Sequence, residues 1–311
     1  MEFFSHQTSY PFMATRKVWY TLSALLMIVS LGSFFMRGVN LAIDFTGGVS
    51  AEASFPKAAD VDLVRARLAA AGFREPAVQN FGSSRDIAIR LPPDPKQTAA
   101  GIRAQLETAL RGIDPGAQVM QLEVVGPQVG GELKRSAAWA LFFTLLGIFF
   151  YIAFRFHTWR LSLGAILAVL HDPILVLGFF SLTQMSFDLA VVAAILAVIG
   201  YSLNDTVVVF DRIRERFEGN RRSPPDVVLD QSINQTLSRT IMTKVVTSIV
   251  VVALLFLGGP VLKGFSAALL IGIIAGTYSS IYISSAIALD CGLTAEHVFP
   301  SVRKAALDQR P

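Results

Sequence analysis

Six stretches of this sequence are apolar and long enough to cross a lipid bilayer as helices. A helix needs about 20 residues to cross roughly 30 Å of hydrocarbon. The apolar stretches cover residues 18–36, 136–154, 161–182, 189–210, 241–258 and 264–289. Of the 311 residues, 53% are hydrophobic and 16% are charged, which is too apolar for an ordinary soluble domain. The sequence therefore predicts a membrane protein built as an all-α bundle of six spans.

Basic residues mark one side of this predicted bundle. Short cytoplasmic connections of membrane proteins are enriched in Lys and Arg. The basic residues before the first span and after the second and fourth spans are Arg16, Lys17, Arg155, Arg160, Arg212, Arg214, Arg216, Arg221 and Arg222. All fall on one side of the bundle, which we therefore take as cytoplasmic.

This orientation divides the chain into tails, spans and one exported segment. We expect cytoplasmic tails at 1–17 and 290–311, a first span at 18–36, and spans two to six within 136–289, with a cytoplasmic loop at 211–238. Residues 37–135 are then exported. The net charge is +4, and the basic residues lie in short stretches beside the apolar ones, as membrane topology requires. They do not form a basic face with interspersed aromatic residues, which would indicate nucleic-acid binding.

The exported segment has the pattern of a small α+β domain. Alternating and helical periodicities predict strands at 49–55, 77–81, 86–91 and 118–125, and helices at 58–71 and 97–110. The order β-α-β-β-α-β is that of a ferredoxin-like domain. The segment has no clustered metal ligands and no nucleophile elbow, and Cys291 is the single cysteine of the chain. We therefore expect recognition or movement here, with no metal and no cofactor.

A carboxylate lies inside the fourth apolar stretch, at Asp205. A charged side chain at the centre of a bilayer costs about 2.5 to 3.5 kcal/mol on insertion scales, so it normally faces the bundle interior or a wet cavity. A carboxylate whose cation partner moves between two states could take up a proton on one side and release it on the other. The alternative is a static ion pair that fixes helix packing.

Other polar residues lie at the depth of the membrane. Ser202, Asn204 and Thr206 are close to Asp205 in sequence and could orient it. Thr236, Arg239, Thr240, Thr243 and Thr247 form a stripe on the fifth span, which could line a water wire or form hydrogen bonds between helices. His171 and Asp172 precede Pro173 in the third span. They could transfer protons, but we favour a structural interpretation in which they satisfy a kink.

Two further patterns concern packing. Asp188 directly precedes the fourth span and is expected to be its N-cap. Small residues recur every fourth position of the last span, which favours close approach of another helix. They are Gly272, Gly276, Ser280, Ser284 and Ala288.

Several motifs in a fixed order resemble one known family. They are Asp44-Phe45-Thr46-Gly47-Gly48, Val125-Gly126-Pro127-Gln128-Val129-Gly130, His171-Asp172, the run from Gly200 to Glu215 around Asn204-Asp205, and Asn234-Gln235-Thr236-Leu237-Ser238-Arg239-Thr240. Along nearly the whole chain the sequence resembles the SecF branch of the SecD/SecF family, bacterial protein-export membrane proteins of the resistance-nodulation-division superfamily.

The resemblance implies a function as well as a fold. It implies a half-transporter, not an enzyme, that pairs with SecD and uses the proton-motive force to help the SecYEG channel move preproteins across the bacterial cytoplasmic membrane. YajC and YidC are further candidate partners. The family's proton-linked Asp maps onto Asp205 and its partner Arg onto Arg239. The sequence departs from the expected pattern at Lys244, where a small polar residue is usual.

The motifs leave two structural questions open. Gly47, Gly48, Gly126 and Pro127 flank the exported segment and suit either a hinge or a tight connection. Asp205 and Arg239 have similar predicted depths. Their side chains, however, lean in opposite directions. Direct contact would need a conformational change or an earlier start of the fifth helix, near Ser232.

Three other functions compete with protein export. Half of a small-molecule or lipid exporter of the same superfamily would usually carry larger exported domains. An intramembrane aspartyl protease using Asp172 and Asp205 would need a Gly-x-Gly-Asp sequence, which is not found around Asp205. The third alternative is a structural scaffold for the translocation channel.

Overall fold

The computed structural model describes residues 8–94, 98–156 and 158–298. The N-terminal half of the chain contains a 3-10 turn (Met13–Thr15), α1 (Arg16–Arg37), β1 (Asn40–Leu41), α2 (Ile43–Thr46), β2 (Gly48–Ser54), α3 (Val61–Ala70), β3 (Ala77–Phe81), β4 (Ser83–Leu91), α4 (Ala99–Arg111) and β5 (Gln118–Val125). It is followed by α5 (Pro127–Phe156), α6 (Trp159–Thr183), β6 (Ser186–Phe187), α7 (Leu189–Gly219), α8 (Pro225–Leu257), α9 (Gly259–Tyr278), a π-helical turn (Ser279–Ile283), α10 (Ser284–Asp290) and α11 (Ala295–Val298).

Within these residues, six helical segments are long and apolar enough to cross a membrane. They are α1, α5, α6, α7, α8 and the last span, in which α9 continues through the π turn into α10. Each contains one of the predicted apolar stretches, except that α8 ends one residue before the end of 241–258. Residues 1–7 and 299–311 of the predicted tails, and the start of the predicted helix 97–110, lie outside the described residues.

The helices extend beyond their apolar stretches. The predicted cytoplasmic loop 211–238 is wrong as a loop: α7 runs to Gly219 and α8 begins at Pro225, so only 220–224 are not helical. α5 likewise begins at Pro127 instead of residue 136. Hydropathy detects only the part of a helix that contacts lipid, whereas Arg, Glu and Gln are good helix formers that continue it into water.

Between α1 and α5 the chain folds into a four-stranded sheet with two helices. The strand order is β3-β4-β2-β5 and every neighbouring pair is antiparallel. Ala51 of β2 lies opposite Ile89 of β4 and Leu122 of β5. β3 and β5 have the predicted bounds, and the other elements differ from prediction by a few residues.

The core of this sheet domain follows from the alternation of its strands. Inward side chains such as Ala51 and Ile89 pack against Leu68 of α3 and Leu106 of α4. Each helix has a side-chain cap, Asp60 for α3 and Thr98 for α4. Such caps satisfy backbone N–H groups that the first turn leaves unpaired.

The stripe of small residues in the last span packs against helices of the same chain. A Cβ added to Gly272 would collide with Val198 of α7, and one added to Gly276 would lie 2.9 Å from Ser202 Oγ. One added to Gly164 of α6 would collide with the carbonyl oxygen of Ser284. These close approaches make α6, α7 and the last span the centre of the bundle. α1, α5 and α8 are largely unburied in the described chain.

Candidate intramembrane ion-pair site

Asp205 on α7 forms a buried ion pair with Lys244 on α8. Asp205 Oδ2 lies 2.7 Å from Lys244 Nζ, and the two side chains are 8% and 5% exposed. Neither atom has a hydrogen bond of good geometry within the described chain. The contact is therefore held mainly by charge, which is strong where water is largely excluded.

Arg239 was the expected cation partner of Asp205, with direct contact left open, and in the described chain the ion-pair contact of Asp205 is with Lys244 instead. Arg239 is exposed, and it lines a groove of about 430 Å³ together with Val208, Asp211, Arg212, Glu215, Gln235 and Thr236. Side chains lean toward the N-terminus of their helix, so Arg239 leans toward the N-terminal end of α8. Lys244 lies five residues further along, about 7.5 Å at 1.5 Å per residue, and leans back toward Asp205.

The ring of Tyr201 packs against the ammonium group of Lys244. Tyr201 was not identified as a site residue from the sequence. Lys244 Nζ lies 4.2 Å from the centre of the Tyr201 ring, a cation–π distance. The Tyr201 hydroxyl donates to the carbonyl oxygen of Thr243 at 3.0 Å and lies 2.8 Å from Thr247 Oγ1. Tyr201 thus ties α7 to α8 beside the ion pair. The sequence signal that could have identified Tyr201 is its position four residues before Asp205, which places both on the same helix face.

The polar neighbours predicted to orient Asp205 have other hydrogen-bond partners or are exposed. Ser202 Oγ donates to Asp172 Oδ2 at 2.5 Å. Thr206 Oγ1 is 3.4 Å from the Ser202 carbonyl oxygen, and Asn204 is exposed. The structure brings Ser202 next to Asp172 because both face the last span, where Gly276 leaves room for them.

The threonine stripe on α8 is satisfied mostly within its own helix. Thr236, Thr243 and Thr247 donate to carbonyl oxygens three or four residues earlier. Thr247 also meets Tyr201 on α7. Thr240 is buried, whereas Thr243 is exposed. One member of the stripe therefore contributes to a contact between helices.

His171 and Asp172 form the centre of a second buried polar cluster. His171 Nδ1 lies 3.0 Å from Asp172 Oδ1, and Tyr278 Oη lies 2.6 Å from His171 Nε2. Asp172 Oδ2 accepts from Ser279 Oγ at 3.1 Å as well as from Ser202. The hydrogen bonds of this pair in the described chain thus run to other side chains. These hydrogen bonds do not support the predicted role of satisfying a kink at Pro173, because they join α6 to α7 and to the last span.

This cluster reaches four helices. Tyr278 Oη also lies 3.1 Å from Ser23 Oγ on α1. Tyr278 directly precedes the π turn Ser279–Ile283, whose first residue, Ser279, contacts Asp172. Single π turns inside α-helices are frequent at functional sites. Ser23, Tyr278 and Ser279 gave no sequence signal, because single Ser and Tyr residues are ordinary in a membrane span.

The two glycine motifs meet at the root of the sheet domain. A Cβ on Gly47 would lie 2.9 Å from Cα of Pro127, and one on Gly130 would lie 2.8 Å from the Gly47 nitrogen. Gly48 has φ +122°, a conformation open to few other residues. α2, which contains Phe45 and Thr46, therefore packs closely on the start of α5. This is the geometry of a tight connection.

Acidic side chains fix the same root to the start of α7. Asp44 Oδ2 accepts from the Leu189 N–H at 2.9 Å. Asp188 Oδ1 accepts from the Val191 N–H at 2.8 Å, which confirms Asp188 as the N-cap. Burial raises the pKa of Asp188, and the backbone N–H groups of α7 oppose that shift. Asp44, which opens the Asp44-Phe45-Thr46-Gly47-Gly48 motif, therefore links the root of the sheet domain to the bundle.

Arg90 adds a contact between the sheet and the membrane bundle. It donates to Asn40 Oδ1 at 3.1 Å and to Ser186 Oγ at 2.5 Å. Asn40 and Ser186 face each other in the parallel ladder of β1 and β6. A cavity of about 370 Å³ separates the sheet from the bundle beside these residues, and Asp44, Glu52, Glu123 and Asp188 contribute to its lining.

Together the fold and the site define a class: a multi-pass helical membrane protein with a buried ion pair and an α+β domain inserted between its first two spans. Two family descriptions match the chain, "Protein export membrane protein SecD/SecF, C-terminal" at residues 105–294 and "SecD/SecF GG Motif" at residues 32–58. The chain belongs to the SecD/SecF family of protein-export membrane proteins.

Similar proteins carry a consistent name. The protein translocase subunit SecF of Pseudomonas aeruginosa is 44% identical over 302 residues, covering 96% of this chain and 97% of that protein. The subunit of the same name from Haemophilus influenzae is 45% identical over 300 residues, covering 96% and 91%. These relatives are membrane transport components, and the chain is accordingly not an enzyme.

A solved structure shares the fold. The crystal structure of SecDF, a translocon-associated membrane protein from Thermus thermophilus, matches 91% of this chain with a TM-score of 0.83 and 38% identity. This chain spans 39% of that longer chain. A second structure, SecDF in a super-membrane-facing form, matches with a TM-score of 0.69.

Proposed function

We propose that this chain is the SecF subunit of a SecDF complex, which uses the proton-motive force to assist preproteins through SecYEG in the bacterial cytoplasmic membrane. The observation that carries the proposal is the charge of Asp205, buried at membrane depth between two helices. Intramembrane ionisable residues are costly and mark proton or ion pathways.

The proposed topology places the sheet domain outside the cell and both termini in the cytoplasm. The basic residues at the ends of α5, α7 and the start of α1 support this orientation. Residues 37–135 are assigned as a ferredoxin-like domain. The antiparallel strand order β3-β4-β2-β5 supports this assignment, as do α3 between β2 and β3 and α4 between β4 and β5. We assign this domain to handling emerging preprotein.

The unburied faces of α5 and α8 support a membrane-embedded partner, SecD. Asn204, Arg239 and Thr243 are exposed in the isolated chain at or near membrane depth. Polar side chains in hydrocarbon face other helices or water-filled cavities, so a partner helix bundle is expected to cover them. SecYEG, YajC and YidC belong to the proposal as further partners of that complex.

In the proposed relay, Asp205 carries the proton and Arg239 controls its cytoplasmic exit. Val208 lies one helical turn from Asp205 toward the cytoplasm and lines the groove that also contains Arg239. A proton released by Asp205 would therefore enter a space whose wall carries a permanent cation. The two residues share a pathway without direct contact.

The test is preprotein translocation into inverted membrane vesicles that contain the whole complex, with and without a proton-motive force. Asp205→Asn is expected to abolish the stimulation by the proton-motive force and to leave complex assembly intact. Asp290→Asn is the matched control, because Asp290 pairs with Arg16 at the helix ends and is 42% exposed. Full stimulation in Asp205→Asn would refute the proposal.

A further inference from the structure

We propose that Lys244 is a built-in counter-ion of Asp205, which protonation of Asp205 displaces, so that proton uptake loosens α7 from α8. The inference rests on the proposed role of Asp205 as proton carrier and adds to it a positioning residue. The resemblance to the family carries over no role to Lys244.

The enclosure of Lys244 leaves Asp205 as its anionic partner. The ammonium is 5% exposed, lies 2.7 Å from the carboxylate and 4.2 Å from the Tyr201 ring. Within the described chain, Lys244 Nζ has no hydrogen bond that would hold it if the carboxylate lost its charge. The ring attracts a cation only weakly by comparison.

Charge counting gives the direction of the change. The pair carries no net charge while Asp205 is ionised and Lys244 is protonated. Adding one proton to Asp205 leaves a net positive charge in a largely dry site, which is costly. The least costly response is for the ammonium to move to water, because the four-carbon stem of Lys can reach past apolar surface while its charge is solvated.

The groove lined by Arg239 lies in the direction in which the Lys244 side chain leans. Lysine side chains lean toward the N-terminus of their helix, and the groove residues Gln235, Thr236 and Arg239 precede Lys244 on α8. Its two carboxylates are already paired, Asp211 with Arg155 and Glu215 with Arg212. Lys244 is therefore expected to move toward groove water rather than toward a new ion pair.

Other titratable groups near this part of α7 have their own partners or lie apart from the pair. Asp172 is bound by Ser202 and Ser279, and His171 by Tyr278. Besides Lys244, the titratable and charged groups on the elements that pack against α7 are Glu132, Lys134, Arg135, Tyr151 and Arg155 of α5, Arg160, His171 and Asp172 of α6, Asp226, Asp230 and Arg239 of α8, Lys263 and Tyr278 of α9, Tyr282 of the π turn, and Glu296 and His297 of α11. Besides Asp205, α7 itself carries Tyr201, Asp211, Arg212, Arg214, Glu215, Arg216 and Glu218. In the described chain the ion-pair contact of Asp205 is with Lys244.

The experiment measures the pH at which Asp205 becomes protonated. Dicyclohexylcarbodiimide adds to protonated carboxyl groups, and mass spectrometry of the peptide that contains Asp205 reports the labelled fraction in vesicles that hold the whole complex. Lys244→Met removes the cation, so labelling is expected to reach its midpoint at least about one pH unit higher than in the wild type, the effect of an adjacent opposite charge.

Three variants separate this effect from general damage. Lys244→Arg keeps the charge and is expected to keep the midpoint near that of the wild type. Lys263→Met removes an exposed lysine at the other end of the bundle and should leave the midpoint unchanged. Asp205→Asn removes the labelled group. If Lys244→Met does not accumulate, Lys244→Gln replaces it, because the glutamine amide is polar but carries no charge.

The outcomes distinguish the two proposals. An unchanged midpoint in Lys244→Met or Lys244→Gln overturns the counter-ion, even if Asp205→Asn abolishes stimulation by the proton-motive force. A shifted midpoint together with full stimulation in Asp205→Asn overturns the relay, and the pair is then a static ion pair. A shifted midpoint together with lost stimulation supports both.

Discussion

The hydroxyl of Tyr278 lies 2.6 Å from Nε2 of His171 and 3.1 Å from Ser23 Oγ, so one phenol joins α1, α6 and the last span. The contact lies next to the π turn Ser279–Ile283. His171 in turn contacts Asp172, which binds Ser202 one helical turn from Asp205. The helix that carries Asp205 is thereby connected to the rest of the bundle through buried hydrogen bonds.

Tyr278→Phe is expected to destabilise the bundle by about 1 to 3 kcal/mol, the cost of leaving buried polar groups without partners. Thermal unfolding of the purified complex measures the change. Tyr151→Phe is the control, because Tyr151 is 50% exposed. Equal midpoints for Tyr278→Phe and Tyr151→Phe would show that the phenol hydroxyl contributes nothing to packing.

Arg90→Ala is expected to loosen the sheet domain from the bundle, because Asn40 and Ser186 lose their shared donor. Amide hydrogen exchange of β1 and β6 should become several-fold faster, while exchange in α3 stays unchanged. A hydrogen bond to a charged group contributes about 1.5 to 3 kcal/mol. Arg85→Ala, an exposed position on the same strand, is the matched control. If both variants speed exchange equally, the Arg90 contacts do not hold the domain.

Glu52→Gln is expected to stabilise the sheet domain at neutral pH and not in acid. Burial, with the carboxylates of Glu123 and Asp86 nearby, raises the pKa of Glu52 above its usual range. A raised carboxyl pKa means that the ionised form is disfavoured in the fold. Stability associated with Glu52 is therefore present at low pH and lost as pH rises through the shifted pKa.

The measurement for Glu52 compares amide exchange of β2 in variant and wild type at each pH. Slower exchange is expected in Glu52→Gln at neutral pH, with the difference vanishing once Glu52 is protonated. Glu123→Gln is the reciprocal variant and should change exchange in the same direction. A difference that persists in acid would place the effect outside this charge repulsion.

Short-range patterns predicted much of this architecture. The six spans, the antiparallel strands β3 and β5 with their bounds, and the Asp188 cap all depend on residues near in sequence. Residues 211–238 were wrongly predicted as a loop for a related reason: their polar residues end the hydropathy signal, but the helices α7 and α8 continue through most of them. Asp205 was identified because burying a carboxylate in hydrocarbon costs free energy, and this argument does not require knowing which residue is its partner.

Long-range pairing could not be obtained in the same way. The cation beside Asp205 depends on the depth offset and rotation of α7 and α8, which place Lys244 rather than Arg239 against the carboxylate. The partners of Asp172 depend on the close approach that Gly276 allows and on the π turn of the last span. No local periodicity encodes either arrangement.

The sequence by itself determined which segments enter the membrane, because that choice follows from the transfer free energy of each segment separately. It also determined that a charge must be accommodated at Asp205. Only the tertiary structure decided how that charge is neutralised, since Arg239 and Lys244 are five residues apart, about 7.5 Å along α8, and the offset and rotation of the helices decide which cation meets the carboxylate. Side-chain direction and helix offset are properties of the packed bundle, and they selected Lys244.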